Sequence, residues 1–322
     1  MMQILLIGLG AGAASALLFA SVISGAGLAF LIANFAQLPI MVAAIGWSHL
    51  AGLSAVLIAA AGLAFALGGS IAFAFLIGIG LPAWWISYLA LLGRNTDATN
   101  IEWYPLGRIV VWAALLSAAA TLIGMMRYGL DATQMQAGLR RELALALRFL
   151  SGTAKDAPLQ LPGVANPERL LDVLALIIPP MKAAALTATS LVNLWLAGLV
   201  VRTSGRLRRP WPAIAAMTFP AFAPTVLAIA VALTFLPDLL GLVGGVFTAS
   251  LVCIYALLGF AVMHAVTAGM AARGVVLTGL YLTVVLFGWP LVLMAAIGLI
   301  ETITSLRARV AARRAQPPSL KR

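Results

Sequence analysis

Charged residues are scarce in this chain, and long apolar runs fill most of it. Only 9% of the 322 residues are Asp, Glu, Lys or Arg, whereas 63% are hydrophobic, and the mean hydropathy is +1.08. Soluble globular domains carry about 25% charged residues, so the composition excludes that class. The sequence predicts an integral membrane protein.

The residues that usually build catalytic and metal sites are also scarce. The two histidines, His49 and His264, lie in no HExxH pattern, and the chain has neither a GxSxG elbow nor a P-loop. The single cysteine, Cys253, lies in an apolar run, where it can build neither a disulfide nor a metal cluster. We therefore expect no enzymatic activity, no metal and no other cofactor.

Basic residues outnumber acidic ones by 20 to 9, a balance that in a soluble protein would suggest nucleic-acid binding. Here they cluster beside apolar runs without a basic stripe of interleaved aromatics, so positive-inside topology explains them and no nucleic-acid partner is expected. One cluster, called the basic loop, comprises Arg202, Arg206, Arg208 and Arg209, and the other is a basic tail at 306–322. We expect both clusters in the cytoplasm.

The apolar runs predict an all-α bundle that crosses the membrane many times. A crossing takes roughly 20 apolar residues, so the chain has room for about eight membrane helices, with a range of about seven to ten. The first run is expected to be a retained span, because no Lys or Arg precedes it and it is longer than a signal-peptide core. The predicted segments are 4–33, 38–47, 51–68, 71–93, 106–126, 173–201, 213–235, 239–268 and 274–305.

Two of these runs do not fit one upright helix. Residues 38–47 are too few for a full crossing and predict a half-helix or a re-entrant segment. The run 274–305 is interrupted by Gly288-Trp289-Pro290, so it predicts one kinked helix or two short ones. If the basic loop and the tail share one side, an even number of crossings separates them, and this parity favours a hairpin at the interruption.

A connecting segment, 128–172, divides the single membrane domain 1–322 into an N-terminal half, 1–127, and a C-terminal half, 173–305. Within it, apolar residues recur every three or four positions while arginines lie on the opposite face, which predicts an amphipathic helix in the membrane interface. The apolar positions are Met135, Leu139, Leu143, Leu147 and Leu150, and the arginines are Arg140, Arg141 and Arg148.

A second helix start is marked by Asn166, Pro167 and Glu168. These residues have the order of an N-cap, a first-turn proline and a first-turn acid. We expect this helix to run to Pro179-Pro180.

Three polar residues, Lys182, Thr189 and Asn193, lie in the apolar run 173–201. At about 100° per residue they fall within roughly 40° of one another and share one helix face. An ammonium group in hydrocarbon costs several kcal/mol unless it is paired or reaches water. The stripe predicts either a solute-binding cavity or a structural role, in which Lys182 extends to head groups and the other two bond to neighbouring helices.

The first helix has a small residue at every fourth position. Such a ladder allows another helix to approach closely, either within this chain or on a partner subunit. The residues are Gly8, Gly12, Ala16, Ala20 and Ser24.

Another polar group, Glu102, Trp103, Tyr104 and Arg108, precedes or begins the segment 106–126. Trp and Tyr favour head-group depth, and Glu102 is placed to pair with Arg108. The pattern predicts an interfacial belt with an ion pair, or a gate over a polar cavity.

Glu301 lies near the end of the last apolar run, six residues before Arg307. We expect an interfacial acid neutralised by local arginines rather than a proton carrier.

Several local patterns together resemble one known family. They are the small-residue first helix, QLPIMVAAIGWSHLAGLSAVL, LPAWWISYLALL, EWYPLGR, NLWLAGL and GLIETITSLRAR. Across nearly the whole chain they resemble the YybS-like family of bacterial membrane proteins, a domain of unknown function. That family in turn resembles the substrate-binding S components of energy-coupling-factor transporters.

The resemblance implies a helical bundle in the bacterial inner membrane that binds a vitamin-like or other small solute and depends on separate coupling and ATPase subunits. It implies that Ala16 and Ala20 belong to the face that meets the coupling subunit. This chain differs in its length, its connecting segment, its larger number of helices, and Glu301 in place of the family's aspartate. We expect a solute-binding transporter subunit in the lipid bilayer. The alternative is a structural or assembly factor that packs against other membrane proteins without transport.

Overall fold

The computed structural model describes residues 1–95, 101–152, 159, 161 and 163–315. The end of the predicted basic tail, with Lys321 and Arg322, and most of the linker before Asn166 lie outside these residues. The described part is an all-α bundle of fourteen helices and one short strand pair. Seven helical segments in it are long and apolar enough to cross a membrane, and three shorter apolar helices accompany them. This confirms the predicted polytopic helical bundle.

The N-terminal half begins differently from the prediction. The first helix ends at Ala20, and a 3-10 turn leads to Gly25, whose φ of 67° suits a residue without a side chain. The elements are α1 (Met2–Ala20), α2 (Gly27–Ala33), α3 (Gln37–Gly46), α4 (His49–Leu67), α5 (Gly69–Phe75), α6 (Leu81–Leu91), β1 (Gly93–Asn95), β2 (Ile101–Trp103) and α7 (Leu106–Met125). The apolar stretch from 27 to 46 is long enough to cross a membrane, but it is divided into α2 and α3, and the ten-residue helix α3 covers most of the predicted short segment 38–47.

The C-terminal half is built on one long helix. The Asn166 side chain caps it by accepting a hydrogen bond from the backbone N–H of Arg169 at 3.0 Å, as predicted. The helix does not end at Pro179-Pro180. In a membrane bundle, neighbouring helices and side chains can satisfy the backbone carbonyl groups that lose their hydrogen bonds at a proline. The elements are α8 (Ala132–Ser151), α9 (Pro167–Thr203), α10 (Ala223–Thr234), α11 (Asp238–Val266), α12 (Arg273–Phe287), α13 (Pro290–Thr304) and α14 (Leu306–Ala315).

Helix α9 joins the two halves of the chain. It packs against α3, α7 and α11, and α8 also lies against it. The predicted amphipathic helix is present as α8. Its arginine Arg140 does not simply face away, because it pairs with Asp172 at 2.7 Å and with Glu168, both on α9.

The last apolar run forms two helices that separate at Gly288, where φ is 69°. In α12, the Tyr281 ring stacks on Phe260 of α11 with centroids 5.2 Å apart. At the end of α13, Glu301 lines a recess together with Val266, the last residue of α11. Helix α12 contacts α11 through Tyr281 and α13 packs against α11, and four helices, α10 to α13, separate the basic loop from the start of the tail.

Candidate functional site

The predicted polar stripe of α9 is divided between two environments. Asn193 is 1% exposed, and its Nδ2 donates hydrogen bonds to the carbonyl oxygens of Asn34 and Thr189, both at 2.8 Å. The Thr189 hydroxyl donates to Oδ1 of Asn34 at 3.4 Å. Asn34 follows the last residue of α2, where backbone carbonyls have lost their helical partners. The two α9 side chains therefore satisfy the break between α2 and α3.

Lys182 does not join them. Its side chain is exposed, whereas the buried face of α9 passes through Ala183, Thr187 and Ser190. Among the described residues Lys182 has no ion-pair partner. Lys182 and Asn193 lie within roughly 40° of one another around the helix, so their different exposure follows from their positions along α9 rather than from different helix faces. A solute-binding role for the three residues stays a prediction.

A cavity of about 490 Å³ lies between α6, α7, α9 and α11 and beneath the loop 204–222. This volume falls within the range of about 300–1,000 Å³ typical of small-molecule sites. Lys182, Thr189 and Asn193 do not line it. Its wall is apolar and includes Ile109 and Val110 from α7, Leu191 and Trp195 from α9, and Ala256 and Phe260 from α11.

The cavity opens sideways from the bundle. Val192 and Trp195 of α9 line it and are nevertheless 51% and 47% exposed, and Leu291 of α13 lines it with 42% exposure. These side chains lie on apolar helices, whose surroundings are expected to be acyl chains. A molecule in the bilayer would therefore reach the cavity between α9 and α13.

Arg209 is the one charged side chain among the described residues that line the cavity. It is half-buried, and its Nη1 donates a long hydrogen bond of 3.4 Å to the carbonyl oxygen of Ala90 near the end of α6. No carboxylate of the described residues lies within 4.0 Å of it. Burial lowers the pKa of Arg209, but a guanidinium group stays protonated in proteins.

The other arginines of the basic loop are held elsewhere. Arg202 lies 5.1 Å from the centroid of the Trp211 ring and Arg206 lies 4.6 Å from that of Trp47, which are cation–π arrangements. Arg208 is exposed. Four arginines in eight residues predicted a basic loop, but the sequence carries no signal that singles out Arg209 as the one that turns into the cavity.

The predicted interfacial belt has a different ion pair from the expected one. Glu102 pairs with Arg94 at 2.7 Å, because these two residues face each other across the antiparallel strands β1 and β2. Arg108 instead lies 5.9 Å from the centroid of the Tyr104 ring. Trp103 is half-buried on β2, and none of the four predicted belt residues lines the cavity.

The small-residue ladder of α1 packs inside the chain. A Cβ atom at Gly8 would overlap Ser54 Oγ of α4, and one at Gly12 would lie 2.7 Å from the carbonyl oxygen of Ala55. Ser24 was expected on the same helix but lies beyond its end, in the 3-10 turn, and is exposed. Ala16 and Ala20 pack against the apolar cluster that contains Phe75.

Glu301 is neutralised by a local arginine, as expected. Nε of Arg307 donates to one carboxylate oxygen at 2.8 Å, and the backbone N–H of Arg307 donates to the other at 2.9 Å. The same guanidinium donates to the carbonyl oxygens of Met217, at 2.7 Å, and Ala215 in the loop 204–222. The start of the tail and the basic loop therefore lie at the same end of the bundle.

No family model, curated protein or solved structure matches the chain. The family resemblance therefore stays a prediction.

Proposed function

We propose that this protein is a non-enzymatic, multi-pass membrane protein that binds a small, largely apolar molecule, in the manner of the substrate-binding subunit of a transporter. The apolar cavity beneath the loop 204–222 is the observation that carries the proposal. An empty space of about 490 Å³ deprives its lining side chains of dispersion contacts. A bound molecule would restore them, and the sideways opening supplies a path from the bilayer.

The proposed ligand differs from the vitamin-like solute that the family resemblance implies. A polar solute needs several converging hydrogen-bonding groups, whereas the cavity wall is apolar apart from Arg209 and the thiol and indole groups of Cys253, Trp195 and Trp211. The chain has no P-loop, so ATP-driven transport would require coupling and ATPase subunits in trans. The basic loop and the start of the tail lie at one end, which supports a cytoplasmic location for that end in the bacterial inner membrane.

The unique cysteine allows a direct test on the unmodified protein. Cys253 lines the cavity from α11 and is half-buried. Alkylation of the detergent-purified chain by N-ethylmaleimide is measured with and without methyl oleate, a neutral apolar probe. We expect the probe to slow alkylation in proportion to its occupancy, because it covers the thiol. An alkylation rate that does not depend on saturating probe would contradict the proposal.

A substitution at the opening of the cavity provides a second, independent test. Val192→Trp fills the mouth of the cavity from a half-exposed position and should lower both probe binding and alkylation of Cys253. Val200→Trp is the matched control, because Val200 lies on the same helix, is 46% exposed and does not line the cavity. Equal probe binding by the two variants would argue against this cavity as the site.

One observation favours the alternative of a structural or assembly factor. Thr189 and Asn193 are bonded to Asn34 in the way that structural polar groups join membrane helices. Recovery of other membrane proteins in fixed ratio after mild detergent extraction, with no bound small molecule in native mass spectrometry, would favour this role over ligand binding.

A further inference from the structure

The positive charge of Arg209 lacks a counter-charge within the described chain. Arg202 and Arg206 lie over tryptophan rings and Arg208 faces outward, but the Arg209 guanidinium is half-buried at the edge of the apolar cavity. Its one hydrogen bond to a described residue is the long contact with Ala90. A partly desolvated cation without a partner is costly, so this position favours an anion.

We infer that the cavity binds a single-chain anionic amphiphile, with its hydrocarbon chain between α7, α9 and α11 and its acidic head group on Arg209. The inference rests on the proposed function and adds the chemical class of the ligand. A guanidinium group binds carboxylate or phosphate oxygens through paired N–H donors. The largely apolar wall favours hydrocarbon, and a volume of about 490 Å³ matches one ligand of drug size, which favours one chain over two.

The position of the charge fits such a ligand in its membrane. Arg209 lies in the loop that follows α9, so it is at the membrane boundary, while Leu191 and Val192 line the cavity deeper along the same helix. A head group at Arg209 would remain near the interface, and its chain would extend into the bundle along α9. A fatty acid and a lysophospholipid with an acidic head group share this chemistry.

The test compares an acid with its neutral ester. Binding of cis-parinaric acid and of its methyl ester, both fluorescent, is measured on the full chain in a non-ionic detergent. In Arg209→Gln we expect about tenfold weaker binding of the acid, as for the loss of a charged hydrogen bond, and binding of the ester within about twofold of the unmodified protein. Arg208→Gln is the matched control and should leave both affinities unchanged. Arg209→Lys keeps the charge and should retain most of the acid affinity.

The outcomes separate this inference from the proposed function. If Arg209→Gln binds the acid as tightly as the unmodified protein does, the assignment of the head group to Arg209 is wrong, while binding of the ester still supports an apolar ligand site. If the unmodified protein binds neither probe, the proposed function itself fails. N-ethylmaleimide reactivity of Cys253 is also measured in the Arg209 and Arg208 variants without added probe. The same rate as in the unmodified protein shows that the cavity is intact.

Native mass spectrometry of protein extracted from its membrane distinguishes the two sources of the ligand. A retained mass of a free fatty acid or of an acidic lysophospholipid identifies which one occupies the site, and Arg209→Gln should lose it. Retention of zwitterionic phospholipid alone, equally in both proteins, would overturn the inference.

Discussion

Replacing Glu301 with glutamine should loosen the C-terminal end of the bundle. The Glu301 carboxylate accepts hydrogen bonds from the side chain and the backbone of Arg307, and the same arginine binds two carbonyl oxygens of the loop 204–222. The carboxylate therefore fixes the guanidinium that joins α13, α14 and the loop. Glutamine removes the charge but keeps the size and one acceptor oxygen.

The burial of the pair sets the expected magnitude. The side chains of Arg307 and Glu301 are only 13% and 9% exposed. Removal of one partner from a buried ion pair costs about 3–5 kcal/mol, because the other charge is left without compensation. Since glutamine still accepts one hydrogen bond, we expect the lower limit, about 3 kcal/mol.

Two assays on the detergent-purified protein test this expectation. The free energy of unfolding should fall by the stated amount, and trypsin should cleave faster after Arg206 and Arg208, because the loop loses its attachment to Arg307. Arg309→Gln is the matched control, since Arg309 is exposed on the same helix as Arg307. Equal stability and equal cleavage rates in the two variants would refute the structural role of the pair.

Three further predictions concern packing and topology. Asn193→Ala should lower the free energy of unfolding by about 1 kcal/mol, because its hydrogen bond to the break between α2 and α3 is lost. Lys182→Ala, at an exposed position, should change the free energy of unfolding by less than about 0.5 kcal/mol. The reverse order would contradict the assignment of the two side chains. Gly259→Leu should lower the free energy of unfolding by about 1–3 kcal/mol, because a side chain there overlaps the Met294 backbone. Gly279→Leu is the control and should be tolerated, because no atom lies within 4 Å of its Cβ position. A green fluorescent protein fused to the C-terminus should fluoresce and an alkaline phosphatase fused there should be inactive if the basic end is cytoplasmic, and active phosphatase would place that end outside.

Local sequence determined the class of the protein and several of its helix boundaries. Composition alone required a membrane bundle, because a chain with so few charges cannot cover a soluble surface. The N-cap at Asn166 and the alternation of apolar and charged residues in α8 depend on neighbours within a few positions, so they were readable without the fold. The neutralisation of Glu301 was also a local property, because its arginine lies six residues along the chain.

The tertiary structure decided which apolar and polar faces turn inward. In a bilayer, lipid-facing and protein-facing residues are equally apolar, so the sequence carries little difference between the two sides of a helix. Packing against α3, α7 and α11 therefore decided that Asn193 is buried and Lys182 exposed. The turn at Gly25 and the passage of α9 through Pro179-Pro180 depend on the packing around the backbone, which the sequence does not display. Among four arginines of one loop, only the meeting of α6, α7, α9 and α11 placed Arg209 beside an apolar cavity.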